Sequence, residues 1–183
     1  TCFLSFHHCL EKNNSELYSM IRIENKQIEV VDLDFLKREP NAIIDTRNYD
    51  LYSSLSIKQS IIDTLDLSAF HFYSEVIIHD CVIRKVKLSY CWFIDGLEFM
   101  NNIITQGTTF EAGGHNKKKY IMKENIFHGF LNFFDCQFED TIHFSNNILL
   151  EGCNLLGNKG EGYETIFDNG IIQDGNIGRL DLE

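Results

Sequence analysis

The sequence predicts an all-β protein, a parallel β-helix solenoid whose coils have four short sides, with a capping segment at the N-terminal end. Three observations lead there. Core-type residues recur as i, i+2 pairs at a constant step of five, a spacing that neither an amphipathic helix nor an alternating antiparallel strand produces. The five-residue frame slips by one residue after every fourth pair, and the slip returns beyond an interruption in the middle of the chain. Composition agrees, because one proline and 15 phenylalanines in 183 residues lean toward strand.

The first 54 residues fit the repeat least well. MIRIENKQIEVVDL holds two alternating stretches around a polar ENKQ, the pattern of a hairpin. Ile21-x-Ile23 and Val31-x-Leu33 also allow a degenerate first coil. Asp34 to Asn48, around Pro40, reads as loop or short helix. Residues 1–54 are therefore expected to form a cap or accessory segment, since an open solenoid end exposes its core.

Residues 55–183 carry the solenoid. Leu55-x-Ile57, Ser60-x-Ile62, Leu65-x-Leu67 and Phe70-x-Phe72 supply the four sides of one coil. Val76-x-Ile78, Cys81-x-Ile83, Val86-x-Leu88 and Cys91-x-Phe93 supply the next, and Leu97-x-Phe99, Asn102-x-Ile104 and Gly107-x-Thr109 continue. Leu55, Val76 and Leu97 lie 21 residues apart, which sets the coil length. Both ends of each triplet face inward and the middle faces out. Stacking then puts Phe72 over Phe93, Phe70 over Cys91 and Leu67 over Leu88, with Ile57, Ile78 and Phe99 in one column, at about 4.8 Å per coil.

EAGGHNKKKY, with its Gly113-Gly114 pair and three lysines, reads as a loop excursion near residues 111–120. The ladder resumes as Ile121-x-Lys123, Ile126-x-His128, Leu131-x-Phe133, Cys136-x-Phe138, Ile142-x-Phe144 and Asn147-x-Leu149. It weakens through GCNLLGNKGEGYE and returns as Thr165-x-Phe167, Gly170-x-Ile172, Gly175-x-Ile177 and Leu180-x-Leu182. The predicted structural core is Leu67, Phe70, Phe72, Ile78, Cys81, Ile83, Leu88, Cys91, Phe93, Phe133, Cys136 and Phe138.

These units resemble the pentapeptide-repeat family, in which a small residue stands two positions before a central Leu or Phe. Val76/Ile78, Cys81/Ile83, Val86/Leu88, Cys91/Phe93 and Cys136/Phe138 carry the resemblance, which covers roughly residues 55–182. The slot before the central residue, usually Asp or Asn, holds Ile77, Val82, Lys87, Trp92 and Gln137, as in a divergent member. The resemblance implies a right-handed, quadrilateral β-helix. It also implies a possible DNA mimic, since some members resemble B-DNA in shape and charge and inhibit DNA gyrase, whereas most have no known activity.

A formal net charge of -11 repels DNA phosphates and suits a basic or DNA-binding partner. Six cysteines could suggest disulfides, but three fall on core positions, so reduced thiols and a cytoplasmic location are expected. The N-terminus does not read as a signal peptide, and no apolar stretch approaches a membrane span. Cys2, His7, His8 and Cys9 are metal-capable, yet their spacing lacks two separated ligand pairs, and no metal or cofactor is expected. No catalytic motif is present. The only enzymatic reading is a carbohydrate-active β-helix, using His128, Asp135, Asp140 and His143, with both histidines on inward phase.

The outward positions are the most informative. Ser56, Ile77 and Glu98 share one side, and Ile61, Val82 and Ile103 the next. Asp66, Lys87 and Thr108 share the third, and His71 and Trp92 the fourth. Asp66 is expected to pair with Lys87, while Glu75 and Asp95 at neighbouring corners would stack like charges. The aliphatic column Ile61, Val82 and Ile103, with Trp92 around the corner, is the predicted interaction surface, unless the N-terminal segment covers it. The expected function is a non-catalytic scaffold that binds a protein partner or forms a homodimer. An acidic DNA mimic is the alternative and a carbohydrate-active enzyme the third reading.

Overall fold

A computed structural model describes residues 19–160 and 162–183. Nearly all regular structure is short strand, and the strands stack in parallel into a β-solenoid, except that Ile44–Asp45 pairs antiparallel with Asp50–Leu51. One side is a seven-stranded sheet: Met20–Glu24, Ser54–Lys58, Val76–His79, Leu97–Met100, Tyr120–Lys123, Ile142–Ser145 and Ile171–Asp174. The second and third sides share a sheet because Ile61–Asp66 and Val82–Lys87 each run across both. The fourth side carries Asp50–Leu51, His71–Phe72, Trp92–Phe93 and, lower down, Gln137–Phe138 and Ile166–Phe167.

Two corners of the coil use the left-handed region. Asn25, Gln59, Asp80, Asn101, Glu124 and Asn146 turn the chain between sides one and two, and Tyr49, Ala69, Tyr90, Ala112 and Asp135 between sides three and four. Asn and Asp tolerate this conformation because their side chains can bond locally. A two-corner repeat of positive φ explains why short strands can close a coil without proline or a longer loop.

The core follows the inward phase. All 12 predicted core residues are buried. Phe72 and Phe93 stack with ring centroids 4.9 Å apart and an interplanar angle of 7°. Ile57 pairs with Ile78 and Ile78 with Phe99, as the 21-residue coil requires. Each such side chain contributes roughly 1.5–3 kcal/mol by leaving water.

The N-terminal strands do not form a hairpin. Met20–Glu24 and Gln27–Val31 each pair in parallel with the following coil, so they are themselves a first coil, and the boundary expected at residue 54 falls inside the solenoid. Ile21 stands 34 residues before its partner Leu55, but Leu51 stands only 21 before Phe72, so the extra length lies between Val31 and Asp50. The helix Leu33–Leu36 is inserted there, capped by Asp32, whose side chain accepts a bond from the Phe35 amide. Leu36 is buried, with Leu33 and Phe35 packed on the same core.

Residues 111–120 do not leave the coil. Gly114 bridges Trp92 on one side and Gln137 on the other, both in parallel. A Cβ on Gly113 would lie 2.8 Å from the Cys91 carbonyl oxygen, and one on Gly114 2.2 Å from that of Gln137. The glycines serve close stacking, not an excursion. Instead, single extra residues enter at two corners: Ile103 pairs 21 positions after Val82, Thr108 pairs 22 after Val86, and Tyr120 pairs 23 after Leu97.

Those insertions shift the inward phase by one. Thr108 and Phe110, Tyr120 and Met122, and Asn125 and Phe127 face in, displacing the expected Gly107/Thr109, Ile121/Lys123 and Ile126/His128. Thr108 therefore leaves the outward side on which Asp66 and Lys87 pair; Lys87 stacks on Thr109. The frame realigns at Leu131 and Phe133. It shifts again at the end, where Ile171 sits under Ile142 and Gln173 under Phe144, leaving Ile172 and Ile177 outside.

One core column is polar. Asn102 Nδ2 donates to Asn125 Oδ1 at 3.1 Å, Asn125 Nδ2 to Asn147 Oδ1 at 3.0 Å, and Asn147 Nδ2 to Asn176 Oδ1 at 3.1 Å. Each amide also donates to a backbone carbonyl, and each Oδ1 accepts the backbone N–H of the coil before it. A buried amide so placed has every bond satisfied, and losing it strands several partners at about 1–3 kcal/mol each. Asn125→Ala should therefore cost about 3–5 kcal/mol in chemical unfolding, whereas Asn176→Ala, at the half-exposed end of the ladder, should cost about 1 kcal/mol. Equal losses at the two positions would show that the ladder is not a cooperative element.

Candidate surface sites

Outward positions form columns because parallel register repeats them coil by coil. On the second side, Ile61 pairs with Val82, Val82 with Ile103, Ile103 with Ile126, Ile126 with Ile148 and Ile148 with Ile177. The aliphatic column therefore has six rungs, twice the three read from the sequence. Extra corner residues moved Ile126 and Ile177 from expected core to surface, so in the lower half only Ile148 kept the outward phase of its triplet. Ile61 is 57% exposed, Val82 41%, Ile103 38% and Ile177 65%, with Ile126 and Ile148 half-buried. An open groove of about 640 Å³ runs beside its upper end, lined by Gln27, Glu29, Ile61, Val82, Arg84 and Thr105.

The fourth side is aromatic. Trp92 lies between His71 and His115, with ring centroids at 4.5 and 4.6 Å. His71 Nδ1 bonds Asp50 at 2.9 Å and His115 Nδ1 bonds Glu139 at 3.2 Å. Tyr52 and Tyr73 stack alongside at 5.0 Å. Both faces of the indole are thus occupied by imidazoles, so Trp92 presents an edge to solvent and stands on a different side from the column. His115 reaches this stack through the positive φ of Gly114, a contact that the assumed excursion concealed.

The charged corners pair internally. Lys87 donates to Asp66 at 2.8 Å, the predicted pair. Burial would raise the Asp66 carboxyl, but bonds from Lys87 and Ser68 outweigh it and hold the carboxyl below its usual range. Arg84 grips Asp63 with two nitrogens and reaches Gln106 at 3.0 Å. Glu75 and Asp95 line one corner depression together with Glu98 and Asp140, but Lys118 and Lys119 enter it and Lys118 pairs with Asp95. The expected acidic row is therefore mixed in charge.

The residues weighed for catalysis are spread over the coil. His128 is an exposed corner residue and His143 an outward residue on the first side, neither on inward phase, because of the frame shift and because His143 is the middle of its triplet. Asp135 and Asp140 flank the fourth side. Partial burial and the nearby Lys123 and Lys119 lower the His143 pKa, with Asp140 opposing. Cys2, His7, His8 and Cys9 lie outside the described residues; among the described residues no group of three or more His, Cys, Asp or Glu could hold a metal ion. No described helix is long and apolar enough to cross a membrane. Comparison with protein families, with curated proteins and with solved structures returned no match.

Cys81, Cys91, Cys136 and Cys153 are buried free thiols that fill small core positions. Burial raises all four, pushing Cys136 and Cys153 up to about 12, so thiolate is scarce at neutral pH. Iodoacetamide at pH 8 should leave these four unmodified in native protein and label them fully in denaturant, read peptide by peptide by mass spectrometry. Fast native labelling of any of them would contradict its packing.

Proposed function

We propose that this protein is a non-catalytic β-solenoid scaffold that binds protein through the outward aliphatic column of its second side. The observation that carries this reading is the unbroken run of six branched aliphatic residues, uncharged over its whole length and exposed to solvent at both ends. Branched aliphatics suit a strand, but six of them in one contiguous exposed row form the kind of apolar patch that marks an interaction surface. Parallel pairing also fixes the ridge rigidly, so a partner loses little entropy in ordering it.

The five-residue step and the buried small residues Cys81, Cys91 and Cys136 support placing the chain as a divergent pentapeptide-repeat protein. The four buried, unpaired thiols favour a reducing, cytoplasmic setting. The DNA-mimic alternative is weakened by Arg84, Lys85, Lys87, Lys118 and Lys119, which break the acidic surface into paired patches.

A photo-crosslinking amino acid tests the reading. Placed at Ile103, in the middle of the column, it should yield protein adducts in cells of the native host. Placed at the more accessible Tyr163, away from the column, it should yield few. Equal labelling from both positions, or none from Ile103, would remove the column as a contact surface.

A further inference from the structure

We infer that the occupant of the aliphatic column is a second copy of this chain, packed column to column about a two-fold axis. The inference rests on the reading above and goes beyond it by naming the partner.

Shape is the first argument. The ridge repeats at the strand spacing of about 4.8 Å, and the gap between two rungs accepts a branched side chain from an identical ridge. Area is the second. The exposed parts of the six aliphatic residues amount to roughly 400 Å², as large as the biggest apolar patch on an ordinary monomer. Adding the two flanking rows brings each copy toward the roughly 800 Å² per partner of a standard interface.

Charge is the third argument, and it distinguishes a copy of this chain from an arbitrary partner. Two positions before the column residues, the charged groups are Asp80 and Glu124. Two positions after them stand Asp63, Arg84, His128 and Arg179, with Glu151 beside the sixth-coil position Leu150. With the two-fold along the solenoid axis, one row faces the other at equal height, so Arg84 meets Asp80 and His128 meets Glu124. With the two-fold across that axis, each row faces itself reversed, so Arg84 meets Glu151 and Asp63 meets Arg179. Asp80 and Glu124 then face Asn146 and Asn101. Neither arrangement sets carboxylate against carboxylate, although the chain as a whole carries a charge of -11. A surface complementary to itself in both senses, on a molecule otherwise self-repelling, fits an isologous dimer.

Sedimentation of the purified full chain over a micromolar range reads the outcome. Wild type should run as a dimer. Val82→Asp should run as a monomer with unchanged circular dichroism, since the position is outward. Arg84→Glu should weaken the dimer about tenfold or more, while its exposed pair with Asp63 contributes little to folding. Dimerisation should return with Asp80→Arg added if the two-fold runs along the axis, or with Glu151→Arg added if it runs across. A dimer that Arg84→Glu weakens and neither second change restores overturns the two-fold packing. A wild-type monomer that still gives Ile103 adducts overturns self-pairing alone. A dimer indifferent to Val82→Asp overturns the column as a contact, and the proposed function with it.

Discussion

The whole molecule depends on one constraint: each coil's backbone amides and carbonyls find their partners on the coils directly above and below. Polar backbone groups buried without partners are costly, so the chain must hold register from coil to coil over its full height. Register in turn makes a residue's position within the coil decide its column. Phenylalanines meet phenylalanines, asparagines meet asparagines and outward aliphatics meet outward aliphatics. The columns of the core and the columns of the surface are two results of that rule.

The rule explains where length variation is tolerated. An extra residue inside a side would flip every following side chain, so extra residues sit at corners, where the chain already turns and two backbone groups can face solvent. The second-to-third corner absorbs one residue between Ile104 and Thr108, and the fourth-to-first corner another between Gly114 and Tyr120. Larger insertions follow the same logic. The helix Leu33–Leu36 enters the first coil between two paired strands and buries Leu36 at the end of the core. The chain from Cys153 to Ile166 is longer than its equivalents and returns to the ladder at Ile166, which pairs with Gln137.

Polar and apolar columns divide the work between them. Aromatic stacks fill the core with large rings and are indifferent to small shifts. The asparagine ladder is not, because each amide bonds the next at fixed distance and also holds a backbone carbonyl of the preceding coil. It therefore pins register in the part of the solenoid where coil length changes from 21 to 23 and then 22 residues. Surface columns behave similarly. Where they are charged, Asp63 with Arg84 and Asp66 with Lys87 neutralise each other across rungs. The second side has no such pairing available, and its aliphatic ridge stays open to a partner.

The fold class, the coil length and the core from Leu55 to Ile104 were legible in the sequence, because a period of five with a regular slip depends only on which residues are apolar and how far apart they stand. So were Ile61, Val82 and Ile103, whose outward phase follows from the same count. In the lower half of the ridge Ile148 kept the outward phase of its triplet, but its neighbours above and below were not legible. Ile126 and Ile177 are as hydrophobic as any core residue, and only the pairing of backbone to backbone shows that corner insertions turned them outward. Gly113 and Gly114 read as a loop because glycine permits one; the ladder bonds on both sides decided for tight stacking instead. The first coil likewise needed its partners, since Met20–Glu24 and Gln27–Val31 alternate equally well as a hairpin or as two sides of a coil. Sequence spacing determines which face a residue takes within an unbroken frame; where the frame breaks, hydrogen bonding to a neighbour far along the chain makes the choice.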